Sequence, residues 1–290
     1  MLERLISFFM SILGFGPAPA PQETLSSLAN NWLYAITSED FAGRRCATEG
    51  NAKARTYLLD EISKMGFHGE TDSLVFAGDT LVNIIVRLVN NANTDTVIVV
   101  GAHYDGQFES RTDRHYPAAN DNASGVVTLL CLMKRFCENT EQMRYPVVCC
   151  LWDGEEFTHD AAYKGSTHFV GHFDDPIVSY INIDTIGHDH DNDKTMSIMT
   201  RDDNPSWLWD YYVRDGRFKY RMMRAQKGQG QSDFNPFDGK DIPYIAFYDN
   251  TAASHQKCGH NIHSIYDTPD VVKIDRILSL SELIFTSFTK

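Results

Sequence analysis

Two hydrophobic patterns take turns along this chain. Leu25, Leu28, Trp32 and Leu33 recur at helical spacing between Gln22 and Ala35. Ala54, Tyr57, Leu58 and Ile62 do the same between Asn51 and Met65, where Gly66 supplies a stop. Leu81 to Leu88 and Thr96 to Val100 are instead β-branched runs joined by the polar Asn90-Asn91-Ala92-Asn93 turn, and they predict adjacent strands. Helical composition returns at Ala123 to Phe136, Ala161 to Val170, Trp207 to Val213 and Ile274 to Phe288. Between these lie unbroken apolar runs at Pro146 to Trp152, Val178 to Ile183 and Pro243 to Tyr248, with a short strand predicted at Thr195 to Met199. A strand that is apolar on both faces needs cover on both faces. Such strands, alternating with helices, predict an α/β fold of three layers, a sandwich of helices around a central, mostly parallel mixed sheet.

No internal repeat appears, and no linker after Pro21 divides the chain, so residues 22–290 read as one domain. Residues 1–21 stand apart. Glu3 and Arg4 precede the run Leu5 to Leu13, which is too short to span a bilayer comfortably but suits the apolar part of a secretory signal. A stiff Pro/Ala spacer follows; its Ala18-Pro19-Ala20 mimics a cleavage site that Pro21 would hinder. Export to the periplasm or medium is the expectation, without a transmembrane span. An uncleaved amphipathic anchor at the membrane, or a plain surface helix on a cytoplasmic protein, is the alternative. The net charge of −13 leaves no basic face for phosphates and argues against nucleic acid as a partner. Cys149 and Cys150 are neighbours in a strand and should point to opposite faces, while Cys131 and Cys137 read as helix residues of the core.

The polar residues become informative once placed on this scheme, because ligands in open α/β sheets bind beyond the carboxyl ends of the strands. Val97 to Val100 runs into His103-Tyr104-Asp105, and a carboxylate beside a ligating imidazole commonly holds its second nitrogen. Asp153-Gly154-Glu155-Glu156 follows the next apolar strand; consecutive side chains diverge there, so one glutamate can bind metal while the other faces substrate as a base. Asp184 ends the strand after that, Asp121 sits between a polar loop and the helix beginning near Ala123, and His263 comes late in the chain. Two histidines and three carboxylates, each at a strand end or in a loop, can make two sites that share one carboxylate. Ligands of this mix suit zinc best, with manganese or cobalt as substitutes.

These stretches resemble the di-zinc aminopeptidase family, which also includes glutamate carboxypeptidases and glutaminyl cyclases. The resemblance runs from about Phe41 to the C-terminus, through His103-Tyr104-Asp105, Asn120-Asp121-Asn122-Ala123-Ser124-Gly125, Asp153-Gly154-Glu155-Glu156, Asn182-Ile183-Asp184, and His263 before Asp267-Thr268-Pro269. It implies a zinc-peptidase-like sandwich and a metallopeptidase, expected to be an aminopeptidase with peptide substrates, in a catalytic domain spanning residues 22–290. It also implies two Zn2+ ions bridged by Asp121. One ion would add His103 and Asp184, the other Glu156 and His263; Asp105 would orient His103, and Glu155 would be the general base. A glutaminyl cyclase is the alternative. Asp121-Asn122-Ala123-Ser124-Gly125 reads as in the peptidases, and Ile262 stands where the cyclases have Trp. A non-catalytic relative is disfavoured by the complete ligand set. Ser232-Asp233-Phe234 is similar to a Ser-Asp-His segment of the family, with Phe234 in place of His, which leaves substrate preference on that side open.

Overall fold

The computed structural model describes residues 23–88, 94–109, 114–139, 143–157, 162–189, 192–249 and 262–289. Helix α1 (Leu25–Ile36) opens on Thr24, whose hydroxyl accepts the Ser27 N–H at 3.1 Å, and α2 (Glu49–Lys64) opens on Thr48 in the same way. Both caps satisfy amide groups that the first helical turn leaves unpaired. A tight 3-10 segment, Glu39–Arg44, joins the two helices. Gly66, at φ +85°, ends the second as expected.

Strands β1 (Gly69–Phe76) and β2 (Asp79–Leu88) form a hairpin, followed by β3 (Val97–His103) and the small pair β4 (Phe108–Glu109) and β5 (Arg114–His115). Helix α3 (Ser124–Glu138) leads to β6 (Val147–Trp152), α4 (Lys164–His172) to β7 (Ile177–Ile183) and β8 (Thr195–Arg201). The chain continues through α5 (Trp209–Arg214), β9 (Lys219–Ala225), α6 (Asn235–Gly239), β10 (Tyr244–Tyr248) and α7 (Ile274–Thr289).

Eight strands make one mixed sheet in the order β1-β2-β6-β3-β7-β10-β8-β9. Its centre, β6-β3-β7-β10, is parallel throughout. Alternation along these strands sorts their side chains into two cores. Ile98, Val100, Cys149, Leu151, Ile181 and Phe247 face α1, α2, α3 and α7, whereas Val99, Val148, Cys150, Tyr180 and Ala246 face α4 and α6. The three-layer expectation therefore holds, and Cys149 and Cys150 do part to opposite faces.

Some local expectations need correction. The runs 81–88 and 96–100 are not adjacent strands, because β6 lies between β2 and β3 and pairs with both. An apolar strand from later in the chain gains more by entering the middle of the sheet than by sitting at its edge, a non-local preference that a polar turn cannot reveal. Strands β1 and β9 were not anticipated. Both are sheet edges, and their mixed polar composition suits a solvated margin. Cys137 is exposed, since six positions along a helix turn it about 120° away from buried Cys131. No helix among the described residues is long and apolar enough to cross a membrane.

Candidate metal centre

The four parallel strands end on one edge, and that edge gathers the polar residues. His103 is the last residue of β3, Asp184 follows β7, and Glu155 and Glu156 follow β6 after Gly154, which takes φ +77° to turn the chain. Asp121 lies in a wide turn, Ala119–Ala123, that feeds α3. Its position is fixed from behind by Asp267, whose carboxylate accepts the N–H groups of Asn120 at 2.7 Å and Asp121 at 3.0 Å. Asn120 in turn donates to Asp249 and accepts from the Gly187 N–H, both at 2.7 Å.

The carboxylate of Asp121 presents its two oxygens to different histidines. Oδ1 is 3.3 Å from His103 Nε2, and Oδ2 is 2.8 Å from His263 Nε2. Asp184 Oδ1 completes the first group at 3.6 Å from His103 Nε2, and Glu156 Oε1 completes the second at 2.9 Å from His263 Nε2. His103, Asp121 and Asp184 thus offer ligand atoms within 4.8 Å of one another, as do Asp121, Glu156 and His263. Mixed imidazole and carboxylate donors at this spacing fit zinc. Gln107 donates to Glu156 Oε2, and Ser232 donates to Asp184 Oδ2 at 2.7 Å, so each terminal carboxylate has its second oxygen held. Asp105 contributes at two points. Its backbone carbonyl lies 3.2 Å from His103 Nδ1, nearer than its carboxylate at 3.6 Å, and that carboxylate accepts the N–H groups of Glu155 at 3.2 Å and Glu156 at 3.0 Å. It ties the β3 end to the β6 loop as well as standing behind the imidazole.

The model of peptidase family M28 matches residues 83–287, most of the chain and every residue of this cluster. The chain belongs to peptidase family M28. It is a peptidase by family, and solved structures with the same fold come from both branches anticipated above. The Legionella pneumophila LapA aminopeptidase is 20% identical, with a TM-score of 0.74 over 91% of this chain and 70% of that one. A zinc aminopeptidase from Bacillus subtilis, BSAP, is 12% identical, with a TM-score of 0.73 over 91% and 95%. A glutaminyl cyclase from an Acidobacteriales bacterium is 20% identical, with a TM-score of 0.72 over 94% and 97%. No curated protein sequence matches the chain.

The electrostatics of this M28 site are those of carboxylates crowded together at the base of a cleft. Burial, reinforced by the charges of Glu156, Asp233 and Asp184, pushes the Glu155 carboxyl well above its usual range, against the pull of His103. Burial and Asp121 likewise raise Glu156 to about 7. Burial would also raise Asp121, but its contacts with both imidazoles outweigh that and hold it well below the ordinary value. Around the cluster opens a cleft of about 570 Å³, floored by Asp121, Glu155, Glu156 and Asp184 and walled in part by Phe157, Tyr163 and Tyr248. Phe234, where substrate contacts were expected to differ, turns away from it. The ring is fully buried and stacks on Tyr244 at 4.5 Å. Gln231 lines the cleft from that segment instead. Ser232, Gln107 and Asp267 had no anticipated role. Only for Ser232 and Asp267 did the sequence hold a hint, their places in the Ser-Asp and Asp-Thr-Pro stretches.

Proposed function

We propose that this M28 peptidase is a zinc-dependent aminopeptidase, with residues 22–290 as its single catalytic domain. The observation that carries the reading is the shared carboxylate: Asp121 turns one oxygen to each of two donor groups. His103, Asp121 and Asp184 would hold one Zn2+; Asp121, Glu156 and His263 would hold a second, which makes Asp121 the bridge. Zinc bound there supplies Lewis acidity, polarising the peptide carbonyl and making water acidic enough to attack at neutral pH.

The chain supplies the remaining functions. Glu155 lines the cleft and is not one of the clustered donors, so it is free to take the proton of the attacking water and deliver it to the leaving amine. Its raised proton affinity favours uptake of that proton, and nearby cations would moderate it. Gln107 and Ser232 hold Glu156 and Asp184 so that each presents one fixed oxygen. Asp105 keeps Glu155 in line with them through the backbone of its loop. The aromatic wall of Phe157, Tyr163 and Tyr248 accepts an apolar side chain of the substrate. Residues 1–21, which lie outside the described residues, fit an exported enzyme.

Glutaminyl cyclases share the fold, so the deciding assay sets two reactions side by side with one zinc-loaded preparation. Release of chromogenic amine from amino-acid anilides is expected, without cyclisation of a peptide that begins with glutamine. Cyclisation in the absence of amine release would overturn the peptidase reading in favour of acyl transfer.

A further inference from the structure

Arg44 is wholly buried, and its hydrogen bonds end on four backbone carbonyls from three separate segments. Nε donates to Tyr104 O at 2.8 Å, Nη1 to Ile36 O at 2.7 Å and Pro117 O at 3.0 Å, and Nη2 to Ala118 O at 2.8 Å. Tyr104 stands between His103 and Asp105, while Pro117 and Ala118 enter the turn that carries Asp121. One rigid, planar fork therefore spans the strand end bearing the first histidine and the loop bearing the shared carboxylate. The carbonyl of Arg44 itself accepts from Asn51 Nδ2 at 3.2 Å, and the same amide donates to Asp153 Oδ1 at 3.0 Å, at the root of the Glu155–Glu156 loop.

The backbone is bent to place this side chain. Ala42, Gly43 and Arg44 take φ of 43°, 68° and 59°, a run of left-handed residues of which only glycine adopts that region freely. Non-glycine residues are strained there, and strain of that kind persists where the surroundings enforce it. Arg44 remains charged at neutral pH. Burial pushes it down to about 10, and the carboxylates of Asp267, Asp105 and Asp121 oppose the loss of its proton.

We propose that Arg44 is a positioning residue of the metal centre, one that sets the separation between the His103 strand end and the Asp121 turn through its fork of carbonyl contacts. The proposal rests on the zinc reading above. A guanidinium is suited to the task because its donors lie in a fixed plane, whereas a lysine ammonium is a point charge that cannot reach all four carbonyls in that arrangement. Charge and geometry make opposite predictions. If Arg44 mattered only as a nearby cation, its removal would strengthen zinc binding; if it positions the ligands, removal weakens binding.

The test is zinc affinity of the full chain, measured by competition with a chromogenic chelator, for wild type, Arg44→Lys and Arg44→Met. Both variants are expected to bind zinc about 10-fold or more weakly, the range found when groups that hold metal ligands are lost. With zinc saturating, KM for an amino-acid anilide should stay near that of wild type. A folded Arg44→Met that binds zinc as tightly as wild type, or more tightly, overturns the proposal, as does wild-type affinity in Arg44→Lys. Should neither variant fold without metal, zinc is drawn from the loaded, folded variants by excess chelator: release about 10-fold or more faster than from wild type supports the positioning role, and release at the wild-type rate refutes it. A wild-type protein that binds no zinc would overturn the metal reading itself and this inference with it.

Discussion

At the scale of single residues, the site divides its carboxylates by what surrounds them. Asp121 is held by two imidazoles, Asp184 and Glu156 by one imidazole and one neutral donor each, and Glu155 by its place on the cleft. Glu155→Gln removes the proposed base and leaves every clustered donor in place. Zinc content should match wild type while peptidase turnover falls about 10²- to 10⁴-fold; full activity in this variant would remove Glu155 from the mechanism. Protons take part of the role of cations when metal is removed. Burial alone would lower His263 from 6.5, yet its hydrogen bonds to Asp121 and Glu156 prevail and raise it to about 11. A group raised on folding stabilises the folded state fully below its unfolded value and loses that contribution as pH climbs through the folded one. The metal-free protein should therefore melt at progressively lower temperature from pH 6.5 towards 10. Buried Asp267 and Asp153, each raised to about 7, add a decline of the same sign at lower pH. Zinc-loaded protein should lack the alkaline decline, because ligation already leaves the imidazole unprotonated. Melting curves of both forms at pH 7 and 9.5 provide the check, and a metal-free curve that rises with pH would refute the assignment.

Elements bring these residues together, and their geometry leaves little slack. Gly101, two residues before His103, shows how little. Trp152 Nε1 donates to the Tyr180 hydroxyl at 2.9 Å, and that hydroxyl donates to Asn182 at 3.0 Å. A Cβ on Gly101 would overlap the indole nitrogen and lie 2.5 Å from the hydroxyl. Gly101→Ala is thus expected to lower unfolding free energy by about 1–3 kcal/mol, the usual cost of overfilling a packed core. Urea denaturation measures it, and an unchanged midpoint would show that the pair can yield. The same element scale explains which strands the sequence revealed. The central strands are apolar on both faces and stand out as unbroken runs, whereas β1 and β9 have a solvated edge and carry polar residues that mask them. Pairing order was not legible at all. Placing β6 between β2 and β3 depends on contacts between residues far apart in sequence, which local turns do not encode.

The whole molecule carries a charge of −13, and its active cleft concentrates carboxylates on one floor. Cations bound there offset mutual repulsion in the folded chain but find no such assembled site in the unfolded one. Zinc should accordingly stabilise the protein by mass action, about 2.7 kcal/mol at free zinc 100 times its dissociation constant. A chelator should lower the melting temperature and abolish peptidase activity together, with both recovered on adding zinc. Equal melting temperatures with and without chelator would refute this linkage.

The sequence by itself determined the layered α/β class, the central strands, the family resemblance and the inventory of donors: His103, Asp121, Glu156, Asp184 and His263, with Glu155 and Asp105 beside them. Those features are legible because periodicity and short motifs are local. Tertiary structure alone decided that Asp121 turns separate oxygens to His103 and His263, that Phe234 packs into the core rather than the cleft, and that Ser232 and Gln107 hold the terminal carboxylates. It also decided that Arg44 lies inside with its charge spread over four carbonyls. The physical reason is common to all of these. Each depends on which side chains meet across loops distant in sequence, and hydrogen-bond direction and burial are settled only when those loops are packed together.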